Sequence, residues 1–554
     1  LNHCETRISI LVHTTTNMQN IDLIIIIFYL AAILALGILS TRKTKMNSVN
    51  YFLAGRSLNW VIIGAALFAS NISTIHLVGL AASGFEDGLV WGNFEWMASI
   101  VLILLGLIFA PFYFRSKIST LPEFLEKRYS PGSRSFLAFM AILGALFVHI
   151  GMSLYAGAVV FKSFFGIDVS ISILIISIIT ATYTIVGGLK AVVITETVQA
   201  LVLIVGAVIL TIFAINALPE IGIHSLSDFK DHIKPDQLSM LRSGDNAGNS
   251  GLSWYAIFLG YPILGLWYWC SDQTIVQRVL AAKSEEDAQK GPIFAGFLKI
   301  LPVFIMVLPG VIGYVLFKDK ITTSNETLPV LINELLPVGI RGIFAAALLS
   351  ALMSTIAAAL NSCSTLVAVD IAKRMKPSLS DQKQVTIGKW VAVIVMILAM
   401  AWSTQGGRFN SIFEAINKIA AALAPPIATV FLFGVFSKRG TKEASLITLI
   451  FGFILGITSF AADFIPPLSK KPSIITAEWG IPFMMQAWWL FCICTVVYFI
   501  TSYLTPKPDK EQLTYTWDNP LQFITDKKFQ GFKDVRFHAA LLLTSIIILY
   551  IIFQ

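Results

Sequence analysis

Apolar stretches long enough to cross a bilayer recur along almost the whole chain. About fourteen of them lie near the ~20 residues that a transmembrane helix needs. Their approximate centres are Tyr29, Asn71, Ile103, Leu146, Ile176, Ile204, Leu266, Met306, Leu352, Val395, Ala424, Leu455, Phe491 and Leu543. The pattern predicts an all-α polytopic membrane protein. One stretch differs from the rest: between about Trp60 and Leu80, the polar residues Ser70, Asn71, Ser73, Thr74 and His76 interrupt the run, and Ser83 follows it. A helix in hydrocarbon keeps its backbone groups to itself, so a break of this kind is tolerated only where it lines a protein cavity. Carbonyls freed there can coordinate a small cation, and the amide and imidazole can bind a polar solute, as at a transporter site near the membrane midplane. The competing reading is a helix-packing face of small residues.

Charge then orients the spans. Arg42, Lys43, Lys45 and Arg56 follow the first stretch, and Arg115, Lys117, Lys127, Arg128 and Arg134 follow the third. Lys283 and Lys290, then Lys373, Arg374, Lys376 and Lys383, then Lys438, Arg439 and Lys442 occupy alternate loops as well. Basic loops stay in the cytoplasm, which puts both termini outside. The link from Ala217 to Ser253 reads as an external loop with a short amphipathic helix. Thr505 to Phe537, with Pro506, Pro508 and Pro520, reads as a cytoplasmic connector. Met18 is the expected natural start, which makes residues 1–20 a disordered or artefactual extension and 21–554 a single transmembrane domain. The run from about Leu23 to Ile38 lacks a basic n-region and a small-residue cleavage site, so it is expected to stay as a membrane helix. Few long soluble loops and no targeting extension suggest a bacterial inner membrane.

Composition agrees with this class. Hydrophobic residues make up 56% of the chain and charged residues 13%, about half the charged share of a soluble domain. The net charge of +8 sits in short loops, so it reports topology and not nucleic-acid binding. The five cysteines are scattered, which indicates neither a disulfide framework nor a zinc cluster.

Ionisable groups inside spans are costly and are functional candidates by default. Glu95 lies in Asn93-Phe94-Glu95-Trp96, and Lys299 lies in Phe297-Leu298-Lys299-Ile300, apolar on both sides. His76 ends the polar break; a satisfied structural histidine is the competing reading. A second interruption is expected over Gly260-Tyr261-Pro262-Ile263-Leu264-Gly265-Leu266-Trp267-Tyr268-Trp269, where glycine and proline weaken the helix. The aromatic faces there suit a sugar ring, unless they form an interfacial belt. Ser354 and Thr355 are adjacent hydroxyls in an apolar helix. With freed carbonyls they make a neutral oxygen cage, which favours a monovalent cation over a calcium site. The two interrupted spans are five apart, as expected of two inverted five-helix halves, each led by a broken helix.

Several ordered motifs resemble those of the sodium/solute symporter family. They include Tyr51-Phe52-Leu53-Ala54-Gly55-Arg56-Ser57-Leu58, Phe68-Ala69-Ser70-Asn71-Ile72, Phe94-Glu95-Trp96, Val186-Gly187-Gly188-Leu189, Leu266-Trp267-Tyr268-Trp269-Cys270, Val276-Gln277-Arg278, Asn361-Ser362 and Ala424-Pro425-Pro426-Ile427-Ala428. The resemblance runs from about residue 20 to the C-terminus and is closest to the sodium/glucose and sodium/galactose cotransporters. It implies about fourteen helices, a LeuT-type five-plus-five inverted-repeat core at approximately 58–436, and sodium-driven alternating access by a functional monomer. It further implies a sodium site from the carbonyls of Ala69, Ile72 and Ala351 with the hydroxyls of Ser354 and Thr355. The sugar site would take Asn71, His76, Glu95, Tyr268, Trp269, Lys299 and Asn417. Tyr268 would be the inner gate, Phe94 part of the outer lid, and Glu196 a group on the sodium exit path or at a second sodium site.

The chain departs from the pattern in ways that bear on substrate. Asn417 stands where the family has glutamine, Gly265 where sugar carriers offer a polar side chain, Ala98 where the bacterial galactose carrier has serine, and Glu196 where aspartate is usual. The expected substrate is glucose or galactose; myo-inositol, sialic acid or another polar solute is the alternative. No kinase-like domain or Cys/His/Asp constellation points to a sensor or enzyme, and no ring of filter residues points to a channel.

Overall fold

In the computed structural model, residues 19–243, 251–404, 412–468, 472–517, 519 and 528–554 are described, without the side chains at 163–165, 412–415 and 467–468. The expectations for residues 1–17, and for Pro520 in the connector, lie outside these residues. The longer helices are α1 (Asn20–Leu39), α2 (Trp60–Asn71), α3 (Thr74–Glu86), α4 (Leu89–Arg115), α5 (Pro131–Lys162), α6 (Val169–Ala217), α7 (Trp254–Gly265), α8 (Gln273–Leu280) and α9 (Glu285–Phe317). They continue with α10 (Ile340–Met375), α11 (Asp381–Ser403), α12 (Ile412–Phe436), α13 (Lys442–Leu468), α14 (Phe483–Leu504) and α15 (Val535–Ile552). Among the described residues there is no strand, only a single β-bridge between Leu58 and Ala282. Among the described residues, eleven helices are long and apolar enough to cross a membrane, or twelve with the bent α2–α3 pair.

Helix α6 has 49 residues, which at 1.5 Å each is ~74 Å, more than twice the ~30 Å hydrocarbon core. It changes direction at Gly188 (φ 60°, ψ −155°). A Cβ at Gly188 would come 2.4 Å from the Tyr51 carbonyl oxygen, so both conformation and space require glycine there. The Tyr51 hydroxyl donates to the Ile185 carbonyl (3.0 Å) and holds the corner from outside.

Helix α10 is the axis of the molecule, with 94% of its apolar window buried. Small residues such as Ala345, Ala346, Ala347, Ala357, Ala358 and Ala359 let neighbouring backbones approach it. The Asp22 carboxylate of α1 accepts from the Gly339 and Gly342 amides (both 2.8 Å), capping its start. The Thr74 hydroxyl of α3 donates to the Leu348 carbonyl (2.9 Å). The break in the first interrupted span therefore faces the middle of α10.

That break falls at Ile72 and Ser73, both extended, and α3 leaves at 63° to α2. The second interruption falls in the last part of the expected stretch and just beyond it. Helix α7 runs through Pro262 to Gly265, followed by a π-helical turn at Leu266–Ser271, and the chain becomes extended only at Asp272 (φ −84°, ψ 126°). The glycines serve packing instead: a Cβ at Gly260 would meet the Met484 carbonyl oxygen at 2.2 Å, and one at Gly265 would meet Val101 at 2.7 Å. The two broken spans are tied together at one end, where Leu58 donates to the Ala281 carbonyl (3.1 Å) and Lys283 to the Leu58 carbonyl (2.9 Å). A short helix does follow Ala217, at Leu226–Asp231, with Phe229 its one buried residue.

Candidate substrate and sodium sites

The last carbonyls of α2 lose their partners because the helix stops. Those of Ala69 and Ser70 are met by hydroxyls from α10: Ser354 donates to Ala69 (2.8 Å) and Thr355 to Ser70 (3.3 Å). The same hydroxyls reach the Ala351 carbonyl at 3.0 and 3.2 Å. Carbonyls of Ala69 and Ala351 thus converge with two hydroxyls, beside the extended Ile72. All are uncharged oxygens, a donor set that suits a monovalent hard cation, and they come from both α2 and α10.

One turn away the chemistry changes. The Lys299 ammonium donates to both the Glu95 carboxylate and the Asn71 side-chain oxygen, and it lies 5.6 Å from the centroid of the Trp269 ring. Lys299 and Glu95 are 1% and 2% exposed, so the pair is fully desolvated, and such a pair is sustained only with further hydrogen bonds. Asn71 supplies one from the frayed end of α2. Tyr268 lines the same cavity as Asn71, and the Tyr268 and Trp269 rings meet edge to face at 5.0 Å.

His76 occupies the third position of α3. The Ser73 amide donates to its Nδ1 (3.3 Å), and the Ser73 hydroxyl lies 2.9 Å from the same atom. An amide donating to Nδ1 leaves the ring proton on Nε2. A cavity of about 150 Å³ is lined by Asn71, His76, Glu95, Tyr268, Trp269, Lys299 and Asn417, together with Phe94 and Thr355. Thr355 thus belongs to both the oxygen cluster and the cavity wall, so the two adjoin.

Phe94 stacks on Trp91 (5.7 Å, 15°) and meets Tyr261 edge-on (5.6 Å), and the Tyr261 hydroxyl donates to the Phe94 carbonyl (2.8 Å). Tyr261, noted in the sequence only as part of the second interruption, joins Phe94 in lining the cavity. His149 and Asp272 also line the cavity. Neither was singled out as a site residue, although a histidine in the middle of α5 was a signal. Glu196 does not line the cavity; its carboxylate takes two bonds from the Arg278 guanidinium, one of them 2.9 Å, with both side chains at most 1% exposed. Among the described residues, no group of three or more His, Cys, Asp or Glu could hold a metal ion.

A bundle with two broken helices meeting at a polar cavity is a transporter architecture, and solved structures share it. A sodium-coupled sialic acid symporter matches with a TM-score of 0.72 at 20% identity, over 89% of this chain and 99% of that one. A transporter of the nucleobase-cation-symport-1 family matches with a TM-score of 0.53 at 14% identity, over 85% and 98%. These likenesses concern the fold. In sequence, the mouse (Mus musculus) sodium/glucose cotransporter 1 is 33% identical over 539 residues, 90% of this chain and 80% of its own length. The human (Homo sapiens) sodium/myo-inositol cotransporter is 34% identical over 550 residues, 90% of this chain and 75% of its own length. The sodium:solute symporter profile matches residues 51–452, and the chain belongs to that family. It is a membrane transporter and not an enzyme.

Proposed function

We propose that this chain is a sodium-coupled symporter that imports a monosaccharide, glucose or galactose, by alternating access. The observation that carries the reading is the Lys299–Glu95–Asn71 network, set beside Trp269 and Tyr268 in a cavity that shares Thr355 with the oxygen cage. A carboxylate accepts from sugar hydroxyls, an ammonium and an amide bridge vicinal ones, and an aromatic face covers the apolar side of the ring. Sodium, the co-transported substrate, would be held by the carbonyls of Ala69, Ile72 and Ala351 and the hydroxyls of Ser354 and Thr355. It draws α2 onto α10, favours the outward-facing form and shapes the solute site. A ligand shifts such an equilibrium only by its differential affinity for the two states. The membrane potential adds about 2.3 kcal/mol per charge per 100 mV, so one sodium ion is a useful drive.

The same reading takes Tyr268 as the inner gate, Phe94 with Tyr261 as the outer lid, and Glu196 as a group on the sodium exit path. It takes residues 21–554 as one domain of fourteen spans, counting α6 as two crossings and α7–α8 as one, with an inverted-repeat core at about 58–436. The termini lie outside a bacterial inner membrane, and the working unit is a monomer. A second reading replaces the hexose with myo-inositol; Asn417 favours it, since a side chain one methylene shorter than glutamine removes reach at the cavity wall. Counterflow of labelled sugars and polyols in proteoliposomes separates the two readings. Sodium-dependent exchange of glucose or galactose supports the first, exchange of myo-inositol alone reassigns the substrate, and exchange of none overturns the proposal.

A further inference from the structure

Two of the π-helical segments face each other across the cavity. Ala145–Met152 interrupts α5 and Leu266–Ser271 ends α7; such bulges recur where a helix must turn a side chain toward a function. The first presents His149, and the second presents Tyr268 and leads into Asp272. His149 Nε2 lies 3.6 Å from an Asp272 carboxylate oxygen, and the His149 and Tyr268 ring centroids are 6.2 Å apart. The two side chains keep 15% and 11% of their surface, and both line the cavity. Asp272 has one oxygen committed to the start of α8, where it accepts from the Thr274 amide (2.6 Å).

Tyr268 thus stands between two polar clusters: on one side Trp269, with Lys299 over its ring and Asn71 and Glu95 bound to Lys299, and on the other His149 with Asp272. An imidazole and a carboxylate held at this spacing, with surface left to the cavity, can receive a diol: one hydroxyl donates to the carboxylate and its neighbour pairs with the ring nitrogen. We propose that His149 and Asp272 form a second solute position on the cytoplasmic side of Tyr268, which takes the hydroxyls of the polyhydroxylated substrate as it leaves. The inference rests on the symport reading above. It assigns Asp272 a role beyond capping α8, and it gives His149 a function on the release path.

The test compares half-saturation for labelled D-glucose from the two faces, using right-side-out cells for uptake and inverted membrane vesicles for the reverse direction, both with sodium. His149→Leu removes the polar edge, His149→Gln restores a donor and acceptor, and Asp272→Asn keeps the cap but weakens the acceptor. The expected result is a rise of about tenfold in cytoplasmic half-saturation for His149→Leu, with less than about a twofold change from outside. His149→Gln should recover most of the difference, and Asp272→Asn should resemble His149→Leu. Equal shifts on both faces, no shift on either, or failure of His149→Gln to recover would overturn the second position while leaving the symport reading intact. Absence of sodium-dependent uptake in the unaltered protein would overturn the symport reading, and this inference with it.

Discussion

Lys299→Met leaves the Glu95 carboxylate buried at 2% exposure without its cation, and removes a donor from Asn71. Removing one partner of a desolvated ion pair costs about 3–5 kcal/mol; Asn71 is only partly buried and faces the cavity, so the loss of its donor adds less. Glu95→Gln should cost less, because its amide oxygen can still accept from the Lys299 ammonium, but it leaves that buried charge without a counter-charge. The double variant Lys299→Met/Glu95→Gln contains no unpaired buried charge. Replacing a buried pair by neutral groups of similar volume is often neutral or better, so the double variant should be more stable than either single one. Purified proteins heated in one detergent, with unfolding followed by tryptophan fluorescence, give the order directly. Membrane proteins unfold irreversibly, so the ranking of midpoints is the readout. The expected order is unaltered protein at or near the double variant, then the single variants, with sodium-driven sugar uptake lost in all three. A double variant that falls as far as the two single losses combined would refute the reasoning, because the two charges would then not depend on each other.

Three other outcomes follow from the geometry. Ser354→Ala and Thr355→Ala each remove one hydroxyl from the cage, and each should raise the sodium concentration for half-maximal uptake by about tenfold, the equivalent of ~1.4 kcal/mol. Unchanged sodium dependence in both would place the ion elsewhere. Gly188→Ala puts a Cβ 2.4 Å from the Tyr51 carbonyl at positive φ; strain of about 1–3 kcal/mol or more should lower the thermal midpoint and the yield from membranes, and a variant with an unchanged midpoint would refute the packing account. Tyr261→Phe deletes the bond to the Phe94 carbonyl, so it should loosen the lid and raise half-saturation for external sugar while sodium dependence stays as it was, which uptake titrations check.

The first break was legible because polar residues crowd into an apolar run, a conflict that hydrocarbon does not permit without a cavity. The second was legible only as a region. A glycine that allows a close approach and a glycine that lets a helix unwind look alike in sequence, and Gly260 and Gly265 are of the first kind, packed on Met484 and Val101. The unwinding comes a turn later through the π-helical segment, which has no composition of its own. Lys299 and Glu95 stood out singly as buried charges; their pairing joins positions about two hundred residues apart and needs the tertiary fold. The same holds for Arg278 with Glu196 and for His149 with Asp272, where each residue is ordinary in its own segment. The corner in α6 was visible as the Gly187-Gly188 motif, but the reason for it, the Tyr51 carbonyl against Gly188, lies on a different element.

The central claim is that sodium movement and sugar movement are coupled at adjoining sites. The most direct measurement is accumulation of labelled D-glucose in proteoliposomes under an inward sodium gradient, with the interior negative, compared with the same vesicles after a sodium ionophore has collapsed the gradient. The account predicts accumulation above the external concentration that disappears with the gradient, is absent in Lys299→Met, and needs more sodium in Thr355→Ala. Equilibration to the external concentration and no further, with or without sodium, would contradict it.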